Sequence, residues 1–150
     1  MLKGISKRNA QYSVLALFLV IDIFIWSAML RVDRRGELTV AFLSVGQGDA
    51  MYIETPQGNQ MLVDGGPPSG AVLRELGRVM PFWDRSLDVV LATHPDQDHV
   101  GGLPAILTRM KVDNVVTTEN TSATGAYGAF EKIISEKKIH RILEIGRAHV

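Results

Sequence analysis

Four side chains that can bind metal ions lie within six residues of one another in the middle of the chain. The stretch Thr93–Gly102 reads THPDQDHVGG and contains His94, Asp96, Asp98 and His99. Imidazole and carboxylate groups together suit divalent cations such as zinc or manganese. Four titratable groups so close together cost desolvation and like-charge repulsion unless a cation compensates. The spacing therefore predicts a site for one or two divalent metals, with a solvated polar loop as the alternative.

An ion bound there could support hydrolysis, because a divalent metal lowers the pKa of bound water and stabilises charge on an acyl or phosphoryl oxygen. The sequence excludes two other types of binding site. An EF-hand would need Asp or Asn at Val100 and Glu at Leu107, and a dinucleotide loop would need glycine at Met51. The absence of cysteine excludes disulfides, thiolate-bound zinc and a cysteine nucleophile. Lys+Arg and Asp+Glu are equal at 16, so no global basic field favours nucleic-acid binding.

The metal-binding stretch needs elements on both sides to hold its side chains in place. The apolar run Leu87–Thr93 predicts a buried strand immediately before it. Gly102–Met110 predicts a helix immediately after it, and Pro104 suits the first turn of that helix. We therefore expect the candidate ligands to lie at the carboxyl end of a strand, above the edge of a sheet.

The rest of the chain beyond residue 37 alternates strand and helix signals. Turn sequences at 46–49 and 56–59 separate three apolar runs, which predicts three antiparallel strands. Helical spacing and short β-branched runs then alternate, which is typical of an α/β fold over a mixed sheet. The other predicted strands are 38–45, 50–55, 60–64, 114–118 and 140–145, and the other predicted helices are 70–80 and 127–138.

The N-terminal region differs from the rest of the chain. Residues 13–30 carry a single charge, Asp22, and their length is at the short end for a helix that crosses a bilayer. Their many Leu, Ile, Val and Phe residues outweigh the cost of the central Asp. We expect a transmembrane anchor at 13–30, an N-terminal flank at 1–12 and a linker at 31–37. A cleaved signal peptide and a buried helix are the alternatives, and basic residues on both sides leave the orientation open.

Three stretches in order along the chain carry a family resemblance. Residues 42–50 (FLSVGQGDA), 62–67 (LVDGGP) and 93–103 (THPDQDHVGGL) resemble the metallo-β-lactamase superfamily of metal-dependent hydrolases, whose signature after a strand is H-x-H-x-D-H. Within that superfamily they are similar to the hydrolase domain of ComEC-like DNA-uptake channels and its stand-alone relatives. Gly46 and Gly48 would allow a tight turn close to the site.

The resemblance implies a role for each candidate residue. His94 would bind a first metal, and Asp98 and His99 a second one. In single-metal relatives Asp98 would instead position or deprotonate the water, so Asp98 and Asp64 are the expected catalytic residues. Asp64 would end the third strand beneath the loop and orient the loop or a water. Asp96 stands where the signature has its second His, which shifts the metal preference from zinc towards manganese or leaves the first site weak.

The resemblance also implies an activity and a location. The intact protein would be a membrane-anchored, metal-dependent phosphodiesterase or nuclease with one transmembrane pass and its catalytic domain outside the cytoplasm. Its partners would be the cytoplasmic membrane, DNA or another phosphodiester, and DNA-uptake machinery. Two alternatives remain, since a fold does not fix a substrate. One is a thioesterase-, glyoxalase- or lactonase-like hydrolase, and the other is a non-catalytic module of an envelope complex.

The resemblance covers residues 38–143, which would form the N-terminal half of an αββα sandwich preceded by the transmembrane helix. In the superfamily the remaining ligands come from a second half, and neither His140 nor His149 has the matching context. We therefore expect a fragment that lacks a complete active site, exposes apolar surface and is inactive alone. Residues 144–150 match one reading frame of a common sequencing-library adapter, which predicts an artefact there.

Overall fold

The computed structural model describes residues 7–32 and 36–144. It divides into two compact units, Met1–Arg34 and Arg35–Val150. The division falls inside the expected linker at 31–37. Glu144 is the last described residue. The rest of the expected adapter artefact at 144–150 therefore lies outside the described residues.

The described part of the first unit is one helix, α1 (Lys7–Val32). It is longer than the expected anchor at 13–30, because helical backbone continues beyond both ends of the apolar stretch. Large apolar side chains are exposed along it, including Leu17, Phe18 and Phe24. Among the residues that the structure describes, no helix is both long enough and apolar enough to cross a membrane. The expectation of a transmembrane helix before the fold is thus left without support.

The second unit is an α/β domain built on one six-stranded mixed sheet in the order β1-β2-β3-β4-β5-β6. The first three strands pair antiparallel, as expected, and the last three follow in parallel. The elements are β1 (Thr39–Phe42), β2 (Met51–Glu54), β3 (Gln60–Val63), α2 (Ala71–Val79), β4 (Ser86–Ala92), α3 (Gln97–Val100), α4 (Leu103–Arg109), β5 (Lys111–Thr118), α5 (Gly125–Lys137) and β6 (His140–Glu144).

Local sequence explains where several elements begin. The β2–β3 hairpin closes through Gly58, whose φ of 86° suits glycine and whose N–H donates to the Thr55 carbonyl. Helix α5 begins before its predicted start because the Thr124 hydroxyl accepts a hydrogen bond from the Tyr127 N–H and caps the helix.

One face of the sheet carries the core. Side chains of alternate strand residues such as Leu62, Val90 and Val115 are fully buried on this face, with those of helix residues such as Ile106 and Phe130. Alternation is the natural consequence of strand geometry, since successive side chains point to opposite faces. The helices therefore fix β3, β4 and β5, and the ends of β3 and β4 carry the site described below.

The opposite face of the sheet is also apolar but less buried. The register places Phe42 beside Met51, then Val63 and Leu91 on the neighbouring strands. Phe42 is 84% exposed, whereas Leu62, Val90 and Val115 on the core face are fully buried. The expected exposure of apolar surface is therefore observed, and it is concentrated at the β1 edge.

Candidate metal centre

The candidate ligands lie on a loop and a single helical turn that follow β4. Asp96 ends the loop in extended backbone and stands immediately before α3. Its carbonyl accepts hydrogen bonds from the His99 and Val100 N–H groups, at 3.0 and 2.9 Å. The sequence predicted a loop here rather than a helical turn. This turn brings His99 over the end of β3.

Asp64 connects β3 to this loop. It is 3% exposed and its φ is 56°, which is rare for a residue other than glycine. One carboxylate oxygen accepts from the Thr93 N–H at 2.9 Å, and the other accepts from the Thr93 hydroxyl. The second oxygen also lies 2.9 Å from Nδ1 of His99. Asp64 is therefore a positioning residue beneath the loop, where the resemblance placed it.

The contact with Asp64 fixes how His99 can act. Because Nδ1 faces the carboxylate, Nε2 is the ring nitrogen left for a metal. The hydrogen bond with Asp64 raises the pKa of His99, burial opposes that shift, and the charges of Asp64, Asp98 and Asp49 raise it further. The surrounding carboxylates thus favour a positive charge at this point, and a divalent cation would supply one.

His94 and Asp96 form the outer part of the cluster. Nδ1 of His94 lies 3.2 Å from a carboxylate oxygen of Asp96, and both side chains are more than half exposed. The His94 and His99 rings are 6.1 Å apart between centroids. A carboxylate oxygen of Asp98 lies 3.9 Å from Nε2 of His99. The structure thus brings all four predicted ligands to one loop, with the two histidines close together.

The donor set fits a divalent cation in its chemistry, since imidazole nitrogens and carboxylate oxygens are what zinc and manganese prefer. In the part of the chain that the structure describes, no group of three or more His, Asp or Glu side chains is gathered around one point. The described residues therefore supply donors for a metal, and these donors do not form a closed coordination sphere.

Glycines lock the three sequence motifs together around the loop. A Cβ on Gly48 would come within 2.0 Å of the Asp98 carbonyl oxygen, and one on Gly102 within 2.1 Å of the Gly65 carbonyl oxygen. The Gly65 N–H also donates to the His99 carbonyl at 2.7 Å. The sequence predicted only a tight turn at Gly48, whose φ is 110°. Close packing is a second reason for glycine there, since backbone lies where a side chain would be.

Sequence reasoning missed one partner in this network. Thr93 holds Asp64 through both its backbone N–H and its hydroxyl, yet the sequence assigned it only to the end of a strand. Its position directly before His94 was the available signal. A hydroxyl that fixes a buried carboxylate is typical of the residues that orient metal ligands indirectly.

The site's geometry agrees with the family match. A sequence model of the metallo-beta-lactamase superfamily matches residues 43–137, which contain all three motifs and the candidate ligands. The chain belongs to the metallo-beta-lactamase superfamily. The prediction of a metallo-hydrolase domain of this superfamily is therefore confirmed. Its members generally bind divalent metals such as zinc.

Two curated proteins share sequence with the chain. Ribonuclease Z of Clostridium kluyveri is 33% identical over 88 residues, which cover 58% of this chain and 27% of that protein. ComE operon protein 3 of Bacillus subtilis is 29% identical over 124 residues, which cover 72% of this chain and 14% of that protein. The resemblance to ComEC-like members is thereby confirmed. The chain spans only about a quarter and a seventh of the lengths of these two relatives.

Proposed function

We propose that this domain belongs to a metal-dependent phosphodiesterase that acts on nucleic acid. The observation that carries the proposal is the network in which buried Asp64 holds both Thr93 and His99, within a loop that also presents His94. One relative of the chain is named as a ribonuclease, which supports a phosphodiester substrate.

Each residue of the cluster has a distinct proposed task. His94, Asp96, Asp98 and His99 would hold one or two divalent ions, and Asp64 would keep the His99 ring in place. When bound, the metal would acidify a water molecule and stabilise charge on a phosphoryl oxygen. If a single ion is bound, Asp98 would act as a base instead of a ligand: its side chain is 56% exposed, so its carboxylate could accept a proton from a water in the open site.

The identity of the metal belongs to the same proposal. A carboxylate at Asp96 adds a hard oxygen donor beside the His94 imidazole. Oxygen-rich sites favour manganese over zinc relative to sites made only of nitrogen donors. We therefore propose manganese or zinc as the bound ion, with a larger share of manganese than a signature with a second histidine would give.

The test uses the uninterrupted protein that contains this domain, incubated with bis-p-nitrophenyl phosphate and with DNA, in the presence and absence of Mn²⁺ or Zn²⁺. We expect metal-dependent turnover of both substrates. His94→Ala and His99→Ala should each abolish metal retention and turnover. His140→Ala is the matched control, because His140 lies on the edge strand β6 and hydrogen-bonds Asn114 instead. It should behave as the unmodified protein.

Two results would contradict the proposal. Turnover of thioesters or lactones without phosphodiester turnover would favour the thioesterase-, glyoxalase- or lactonase-like alternative. Sub-stoichiometric metal at saturating concentration would favour the non-catalytic module of an envelope complex. Calorimetric titration of metal and assays on both substrate classes separate the three functions.

Membrane attachment through residues 13–30, with the hydrolase domain outside the cytoplasm and in contact with DNA-uptake machinery, stays a proposal. Its support is the sequence of that stretch and the exposure of apolar side chains such as Leu19 and Ile23 along α1. Fractionation of cells that express the protein with and without residues 1–34 tests it. Recovery of both forms in the same fraction would contradict it.

A further inference from the structure

A second surface feature lies at the end of the sheet opposite the candidate metal centre. A groove of about 220 Å³ has an apolar floor of Leu76, Met80 and Met110 and a rim of Phe82, Arg85 and Arg109. Arg85 immediately precedes β4, and the candidate ligands follow the other end of that strand. Seven residues of β4 separate the two sites by about 20 Å. The groove is therefore not part of the site described above.

Two aromatic rings stand exposed beside this groove. Phe82 is 82% exposed and Trp83 is 45% exposed. Their ring centroids are 4.8 Å apart and their planes meet at 82°, so the pair is edge-to-face. Neighbouring exposed rings of this size typically mark a binding surface in a soluble domain. Both residues therefore keep part of their aromatic surface accessible to a ligand.

Two guanidinium groups at the groove lack a partner. Among the described residues, neither Arg85 nor Arg109 forms a hydrogen bond or an ion pair through its side chain. The two arginines of α2, by contrast, are both paired, since Glu75 contacts Arg74 and Arg78. The one carboxylate of the groove is Asp84, which accepts hydrogen bonds from Gln60 and Ser86. The groove thus combines unpaired positive charge with exposed aromatic rings.

We propose that this groove binds single-stranded nucleic acid, with bases stacked on Phe82 and Trp83 and phosphates held by Arg85 and Arg109. Stacking on exposed aromatic rings beside arginines is how sequence-tolerant single-strand binding sites are built. The planar guanidinium group of arginine can donate two parallel hydrogen bonds to one phosphate. The inference rests on the proposed function in one respect, because a nucleic-acid substrate of the metal centre would be the strand that this groove holds.

Other ligand classes fit the groove less well. A volume of about 220 Å³ is below the usual range of pockets that enclose small molecules. An acidic peptide would satisfy Arg85 and Arg109 but would not use the exposed aromatic rings. A single strand uses both, since each nucleotide carries one phosphate and one base. The length of the sheet would then let one strand contact the groove and approach the metal centre.

The test measures binding without catalysis. The chain has two tryptophans, so Trp26→Phe leaves Trp83 as its single tryptophan reporter. The full chain with this substitution is titrated in mild detergent with a thymidine oligonucleotide of about ten nucleotides, in EDTA. We expect quenching of Trp83 fluorescence. Because EDTA removes metals, failure of the metal site leaves this result unchanged, and the two proposals can fail separately.

Substitutions then assign the contacts. Phe82→Ala should weaken binding about tenfold through the loss of stacking. Arg85→Gln with Arg109→Gln should weaken it at least tenfold, and should lower the slope of log affinity against log salt by about 1.4. Arg74→Gln is the matched control, because this exposed arginine on α2 is already paired with Glu75. It should change affinity less than twofold.

Three outcomes would overturn the proposal. One is absence of Trp83 quenching at millimolar oligonucleotide. Another is equal binding of inorganic polyphosphate, which would show a general response to polyanions that needs no base. The third is an equal loss of affinity in Arg74→Gln, which would assign binding to diffuse surface charge rather than to the groove.

Discussion

An aspartate connects the two strands at both ends of the β3–β4 pair, but among the described residues only the carboxyl end presents the candidate metal ligands. At the carboxyl end, Asp64 accepts hydrogen bonds from Thr93 and contacts His99. Near the amino end, Asp84 accepts hydrogen bonds from Gln60 and Ser86. In each case one carboxylate connects the two neighbouring parallel strands.

The difference lies in what each aspartate holds. Asp64 is buried and positions an imidazole through Nδ1, which leaves Nε2 facing Asp98 at 3.9 Å, while closely packed glycines fix the loop around it. The partners of Asp84 are an amide, a hydroxyl and a backbone N–H, none of which is a metal ligand of comparable strength. An aspartate that joins two strand ends through hydrogen bonds is therefore not by itself a sign of catalysis. The group that it orients decides its function.

The largest effect is expected from Gly48→Ala at the carboxyl end. The new methyl group would lie 2.0 Å from the Asp98 carbonyl oxygen, and the φ of 110° is unfavourable for alanine. Backbone strain of about 1–3 kcal/mol and overpacking of about 1–3 kcal/mol together predict a loss of about 2–6 kcal/mol in unfolding free energy. Urea denaturation followed by circular dichroism measures it.

Gly58→Ala is the matched control for Gly48→Ala. Its φ is also positive, but no atom lies within 4 Å of the position that the new methyl group would take. It should lose only the strain of about 1–3 kcal/mol. Equal losses in the two variants would show that close packing between the first and third motifs contributes nothing.

The next largest effect separates the two aspartates directly. Asp64→Asn removes a carboxylate that holds His99 and should lower metal affinity of the intact protein about 10- to 100-fold. Asp84→Asn should leave metal affinity unchanged, because its partners lie at the other end of the strands. Isothermal titration with Mn²⁺ and Zn²⁺ gives both values. A similar loss in both variants would mean that Asp64 acts only through stability.

A smaller effect concerns acid stability. Burial raises the pKa of Asp84, but the hydrogen bonds from Ser86 and Gln60 outweigh burial and leave it below its usual value of 3.8. A group with a lowered folded pKa stabilises the fold above the unfolded pKa, and this contribution is lost as pH falls through the folded pKa. Solvent screening limits it to about 1 kcal/mol or less.

Denaturation of the unmodified chain and of Asp84→Asn at several pH values checks this sign. The unmodified chain should lose more stability than the variant as the pH falls below 3.8. The difference between the two should be constant at higher pH. A stability advantage of the unmodified chain that grows as the pH falls below 3.8 would contradict the lowered pKa.

The smallest effect is expected at Lys111, which begins β5 at the amino end. Its ammonium group lies 2.8 Å from a carboxylate oxygen of Asp113, and both side chains are exposed. Exposed pairs of this kind contribute little to stability, because solvent screens the charges. Lys111→Ala should therefore leave the denaturation midpoint almost unchanged. A large shift would show that the start of β5 contributes more to the stability of the fold than its contacts indicate.

The sequence predicted six strands, the antiparallel direction of the first three and a mixed sheet, because turn signals and apolar periodicity are local. The order of the strands in the sheet and the parallel pairing of the last three come from the structure. The sequence predicted the start of β5 at residue 114, whereas the strand begins at Lys111. The charged residues Lys111 and Asp113 interrupt the apolar pattern that indicates a strand. The strand begins at Lys111 because it pairs with β4 there: Lys111 aligns with Ser86, and its N–H donates to the Arg85 carbonyl. Tertiary pairing of this kind leaves no local signal.

The candidate site was predictable in its residues and not in its geometry. The metal-ligand types and spacing of the loop pointed to His94 and His99, and the resemblance pointed to Asp64. The part played by Thr93 depends on its contact with Asp64, 29 positions away in the sequence, and the short helical turn α3 has only four residues, too few to show a periodic pattern. Asp64 also adopts a left-handed backbone, which no residue preference would predict for an aspartate at a strand end.

The backbone of Asp64 has a consequence for how this domain changes over generations. A left-handed aspartate is held at a cost of about 1–3 kcal/mol, which glycine at the same place would avoid. As long as the protein needs His99, we expect selection to retain the aspartate at position 64. In a lineage that no longer uses His99, we expect substitution of Asp64 by glycine to be tolerated. The residue at position 64 would then distinguish active descendants from inactive ones.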